Sequence, residues 1–239
     1  TLNNFLTNIA ECTKVGGYFI GTSYDGKKVF ESLKDKQQNE SITIFDHDKK
    51  NKLLEITKRY DRDDFTDNIS SLGYAIDVFQ ESINKTFREY LVNYDYLVSV
   101  LENYGFVQLT VDEAKKIGLV NGVGNFSELF DIMNNEIKRD KSKRDEYGIA
   151  YKMTASQKRI SFLNKYFIFK KVLNVDIADL RLSTSYKSEK EELQNVAETL
   201  IAQQVVKTVI ESEKPAKPIK KTRKRLIVVS SDSSTPPST

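Results

Sequence analysis

The stretch "KVGGYFIGTSYDG", residues 14 to 26, constrains this chain more than any other. Two glycines end an amphipathic segment, the apolar run Tyr18, Phe19, Ile20 follows, and Gly21 and Thr22 open a polar loop. A continuous apolar run of this kind predicts a strand covered on both faces, which belongs in the interior of a sheet. Upstream, Leu2, Phe5, Leu6 and Ile9 recur at helical spacing, and downstream "DGKKVFESLKD" resumes it. The succession helix, strand, helix predicts an α/β fold with a mostly parallel sheet.

From residue 41 the periodicity changes. "SITIF" alternates, "DHDKKN" turns and "KLLEITKRY" continues, which predicts an antiparallel hairpin, and "YAIDVF" at 74 to 79 predicts a further strand. Residues 90 to 104 set Leu91, Tyr94, Leu97, Val98 and Leu101 on one helical face, stopped by Gly105. A strand at "FVQLTV", a Gly-interrupted loop, a helix around "FSELFDIMNNEIK" and a strand over 159 to 172 complete the pattern. The last two strands are expected to close the edge of the sheet. Beyond 172 the composition predicts a helical appendage over 173–213, with Leu193, Val196, Leu200 and Val206 roughly periodic, and a disordered basic tail over 214–239.

Composition excludes several classes of function. One cysteine, Cys12, and one histidine, His47, leave no disulfide framework and no Cys/His zinc cluster, and they argue against a Ser-His or Cys-His nucleophile pair. The acidic run Asp61, Asp63, Asp64, Asp67 lacks the glycine and glutamate of a calcium hand, so no metal ligand is assigned. His47 falls in a predicted turn and reads as a surface residue. Charge nearly cancels at +3 over 239 residues, so nucleic-acid binding would have to come from a local patch. No membrane-length apolar run and no signal peptide are present, which predicts a soluble intracellular chain. A start on Thr1 within helix-like sequence suggests a fragment of something longer.

Three blocks in order resemble the mRNA cap guanine-N7 methyltransferase family. "GGYFIGT" is similar to the fifth strand of class I (Rossmann-like) S-adenosylmethionine-dependent methyltransferases, "REYLVNYDYLVSVLENYGF" to the family's E-[YF]-L-V block and following helix, and "FLNKYFIFKK" to the final strand. The closing "LNKYFIF" and the loop-rich, Asn/Lys-rich texture look closer to capping enzymes of large DNA viruses than to cellular ones. The resemblance covers residues 1–172 and implies the C-terminal half of the methyltransferase domain, with the helical and basic segments appended.

It also implies a site. Glu89 matches the glutamate that holds the cap guanine, Tyr24 stands where a loop proline touches the guanine, and Asn164 or Tyr166 falls at the last-strand tyrosine. The S-adenosylmethionine loop is expected upstream of Thr1, so no cofactor-binding residue is assigned here; Gly122 and Gly124 read as an ordinary loop. The implied partner is the capped 5′ end of mRNA, with room for a stimulatory subunit and no membrane. The implied location is the host cytoplasm or viral factory, the virion or the nucleus.

Without the resemblance, Glu89 reads as a first-turn helix acid, Tyr24 as an exposed loop tyrosine, and Tyr90 and Tyr94 as core. Two classes of function remain open: half of an N7-methyltransferase, or a non-catalytic RNA-binding or subunit-docking module. An Asp-x-Gly-x-Gly loop upstream of Thr1 would favour the enzyme. In the tail, seven Lys/Arg between Lys214 and Arg225 suit RNA phosphates, a nuclear address or simple solubility, and "LIVVSSDSS" resembles motifs that add a strand to ubiquitin-like modifiers.

Overall fold

The computed structural model describes residues 2–176. The basic tail, "LIVVSSDSS" and all but the first four residues of the expected appendage lie outside the described residues.

The chain opens with α1 (Leu2–Cys12), β1 (Tyr18–Tyr24) and α2 (Gly26–Ser32). A meander follows: β2 (Ser41–Phe45), β3 (Lys52–Lys58), β4 (Ala75–Gln80) and β5 (Lys85–Tyr90), hydrogen-bonded in that order as one four-stranded antiparallel sheet. Next come α3 (Tyr94–Asn103), β6 (Phe106–Gln108), α4 (Val111–Lys116), β7 (Val123–Asn125), α5 (Phe126–Arg139), α6 (Lys143–Glu146), α7 (Ala155–Ser161) and β8 (Asn164–Lys171). In the other sheet β8 lies between β1 and β6, and β7 also pairs with it.

Local chemistry explains many of these boundaries. Asp25 caps α2 by accepting from the Lys28 amide, and Asn93 caps α3 by accepting from the amides of Asp95 and Tyr96. Thr110 with Glu113 and Thr154 with Gln157 form reciprocal capping boxes at α4 and α7. Gly105, at φ +82°, takes the left-handed turn that ends α3.

Two aromatic-rich cores result. The inner face of the meander packs Ile44, Leu54, Ile56, Ile76 and Val78 against Val29, Phe30 and Leu33 of α2 and its end. In the β8-centred sheet, Phe167 and Phe169 pack with Leu6 and Ala10 of α1 and with Tyr94 and Leu101 of α3. Buried Lys171 pins α1 by donating to the carbonyls of Ala10 and Thr13, two acceptors that the helix end leaves without partners.

Several expectations are corrected. Every strand pairing among the described residues is antiparallel, so the sheet is not mostly parallel; β1 and β6 run parallel but are separated by β8. β1 runs on through Gly21 and Thr22 to Tyr24 where a loop was expected, because β8 pairs it to its end, and it is not covered on both faces: Phe19 turns into the core, while Tyr18 and Ile20 are 53% and 65% exposed. The apolar run reports each side chain's character, not whether a second layer is present. Residues 159–161 belong to α7, and the last strand starts only at Asn164 and lies between β1 and β6 instead of closing an edge. Residues 85–90 form a strand, so Glu89 lies in β5 rather than in the first turn of a helix.

Gly26 sits where α2 meets the segment before α3. Its amide donates to the Val92 carbonyl at 3.1 Å, and a Cβ there would lie 2.3 Å from that same oxygen. Gly26→Ala is therefore expected to cost about 1–3 kcal/mol by overpacking against backbone, read as a lower urea midpoint at unchanged slope.

Candidate functional site

The meander's register places the site. Pairing sets Glu89 opposite Ile76, Phe87 opposite Val78, and Lys85 opposite Gln80. Partners across an antiparallel pair share a face, as do residues two apart along a strand. Because Ile76 and Val78 are buried, Phe87 and Glu89 stand on the core-facing side of the sheet. β5 is the edge strand, however, so the core's cover thins there, and Phe87 is 47% exposed. The inner face thus ends in a half-open shelf carrying one aromatic ring and one carboxylate.

Glu89 is half-buried, and burial alone pushes its carboxyl above the ordinary range. No ion pair or hydrogen bond holds it among the described residues. Tyr24 comes in from the other sheet: its hydroxyl accepts a 2.7 Å hydrogen bond from Gln80 Nε2. Burial raises the Tyr24 phenol, the Gln80 bond opposes that shift, and the negative charge of Glu89 adds to it. Tyr24, Gln80 and Glu89 therefore form one electrostatic neighbourhood across the junction of the two sheets.

The structure brings some of the expected residues together and commits others elsewhere. Tyr24 and Asn164 are register partners at one end of the β1–β8 ladder. The Asn164 amide donates to the Ile160 and Ser161 carbonyls and so closes α7. Tyr166, two residues on, is buried and donates to the Asn121 carbonyl at 3.2 Å. The Tyr24 ring is only 9% exposed and packs into the meander core, so it offers the shelf its hydroxyl end rather than an open face.

The junction is braced on its far side. Buried Asp25 follows Tyr24 and pairs with Lys165 at 3.4 Å, and Lys28 Nζ reaches the Asn125 side chain and the Phe162 carbonyl, each at 3.1 Å. Asp67 binds Lys27 at 2.7 Å and accepts from Asn93, and the Asp64 carbonyl accepts from Tyr74, so this acidic loop is tied down by its neighbours. Gly122 and Gly124 are filled by their own surroundings: a Cβ would lie 2.7 Å from Leu109 backbone atoms at the first and 2.4 Å from the Tyr166 hydroxyl at the second. His47 is exposed beside Asp48. No group of three metal-ligating side chains occurs among the described residues.

Gln80 and Phe87 were not singled out from the sequence. The available signal was "QESINKTF", a strand end, a turn and a second strand start, in which Asn84 takes φ +52°. Recognising that hairpin would have put Phe87 and Glu89 on one face.

No family model matches the chain. A curated protein of Acanthamoeba polyphaga mimivirus, a probable mRNA-capping enzyme, is 27% identical over 196 residues. The match covers 74% of this chain but only 16% of that relative's length. The chain is thus related to a viral protein described as a probable mRNA-capping enzyme, in agreement with the resemblance carried by its three sequence blocks.

Proposed function

We propose that the region up to residue 172 is the guanine-holding part of an mRNA cap guanine-N7 methyltransferase, acting on capped RNA with S-adenosylmethionine as the methyl donor. The observation that carries this reading is Glu89, a half-buried carboxylate without a partner among the described residues, beside an exposed ring on the same face. A buried charge lowers stability unless something uses it. Two further features support the reading. β1 pairs with β8 along its whole length, which joins the first and third sequence blocks, and the second block ends β5 and leads into α3.

The described residues do not fit the cofactor. Their one Gly-x-Gly loop packs against its own chain and leaves no cradle for a nucleotide. What these residues can do lies on the purine side. Guanine presents N1–H and an exocyclic amine on one edge, and a carboxylate accepts from both. Phe87, two residues before Glu89, offers a face on which the base can stack. Gln80, held through the Tyr24 hydroxyl, borders the same shelf. N7 needs no general base because its lone pair is free. When N7 is alkylated the purine becomes cationic, so Glu89 interacts more strongly with the transition state than with the ground state.

Guanine selectivity tests the site directly. The chain is expected to bind GpppG more tightly than ApppA in a fluorescence titration. Glu89→Gln should remove about tenfold or more of that preference, as expected for a charged hydrogen bond; equal binding of the two dinucleotides would overturn the assignment. In the full-length polypeptide the same substitution should lower kcat/KM for cap methylation by about a hundredfold. A non-catalytic module would show the guanine preference without that effect.

Stability should move the opposite way. A carboxyl raised by burial favours folding below the unfolded glutamate pKa and loses that contribution as pH rises through the folded value. At neutral pH wild-type Glu89 therefore lowers stability. Glu89→Gln should melt at or above the wild-type temperature at pH 7, with the difference shrinking toward pH 4.

A further inference from the structure

We propose that the segment from the end of α5 to α7, residues 138–159, is a binding surface for the single-stranded RNA that follows the cap. The proposal rests on the cap-site reading for its substrate but on separate residues for its observations. Within this stretch eight Lys/Arg face three Asp/Glu, whereas the whole chain of 239 residues nets only +3. The acids are largely engaged: Glu146 pairs with Lys143 at 2.8 Å, and Asp140 accepts from the Ser142 amide and hydroxyl. Lys138, Arg139, Lys141, Arg144, Lys152 and Arg159 are exposed and have no acidic partner among the described residues.

Aromatic rings are interleaved with these charges. The Arg144 guanidinium and the Lys152 ammonium lie 5.4 and 5.3 Å from the centroid of the half-exposed Tyr151 ring, and Ile149 beside it is 83% exposed. Lys158 lies 4.4 Å from the Phe130 ring. Unpaired cations around partly open rings suit a single-stranded nucleic acid, whose phosphates meet the charges while its bases stack. An acidic protein partner would use the charges and leave the rings without a role.

The surface is also built onto the candidate site. α7 packs on β2, and Asn164, the register partner of Tyr24, closes its last turn. Lys28 of α2 fixes the Phe162 carbonyl just beyond it. The Tyr147 hydroxyl donates to Glu136 at 2.5 Å and holds the loop against α5. Through α7 and Asn164, residues 138–159 are thus joined to the strand end that carries Tyr24.

Fluorescence anisotropy with an uncapped 15-nucleotide RNA, measured across a salt series on the full chain, tests this. Neutralising Lys141, Arg144 and Lys152 to Gln together should weaken binding about tenfold or more at 0.1 M salt and reduce the salt slope by about 2. Tyr151→Ala alone should cost about tenfold with the slope unchanged. A parallel variant with the seven Lys/Arg of 214–225 changed to Gln separates any contribution of the tail. The proposal is overturned if the triple variant binds like wild type with an unchanged slope, or if polyglutamate of equal charge competes as well as RNA. Melting temperatures of the variants close to wild type exclude unfolding as the cause. Uncapped RNA carries no cap guanine and GpppG carries no RNA body, so failure of the guanine assignment and failure of this one are read separately.

Discussion

β8 is the strand on which the rest of this structure depends. It hydrogen-bonds β1 along its full length, β6 at its C-terminal end and β7 nearer its start. Its side chains Phe167 and Phe169 join α1 and α3 in one core, and its last residue, Lys171, closes the end of α1. Without β8, the strands β1, β6 and β7 have no common partner. The final described strand therefore organises the first.

The second dependence is the junction between the sheets. Tyr24 ends a strand of the β8-centred sheet, yet its ring belongs to the meander's core and its hydroxyl meets Gln80 of β4. This one residue ties the strand end to the sheet that carries Glu89. The arrangement leaves a carboxylate partly desolvated at a free sheet edge, a position that natural sheets more often protect.

The residues differ in how much they disclosed. Alternation in "SITIF" and "YAIDVF" announced the meander because a half-buried strand must alternate. The helical faces of α1, α3 and α5 were equally plain. β5 was hidden because "TFREYLV" runs without a break into the apolar sequence before α3, and its strand pairing comes from β4, which no window around it contains. The exposure of Ile20 could not be foreseen either, since a side chain's hydrophobicity is local and the layer above it is not. Of the site, Glu89 and Tyr24 were visible through block resemblance. The partner Gln80 depends on contact between two sheets, which no short window of sequence contains.

The placement of β8 has a consequence in time. The meander closes within residues 41 to 90, its longest connection running from Lys58 to Ala75, whereas β1 must wait for a strand 140 residues later, and loop closure grows costlier with length. During synthesis the meander is complete on the order of ten seconds before Lys171 emerges. Gln80 and Glu89 are then already in register while Tyr24 is still unpaired. The junction that completes the shelf is therefore the last to close, and the surroundings of Glu89 are complete only when the folding of both sheets is finished.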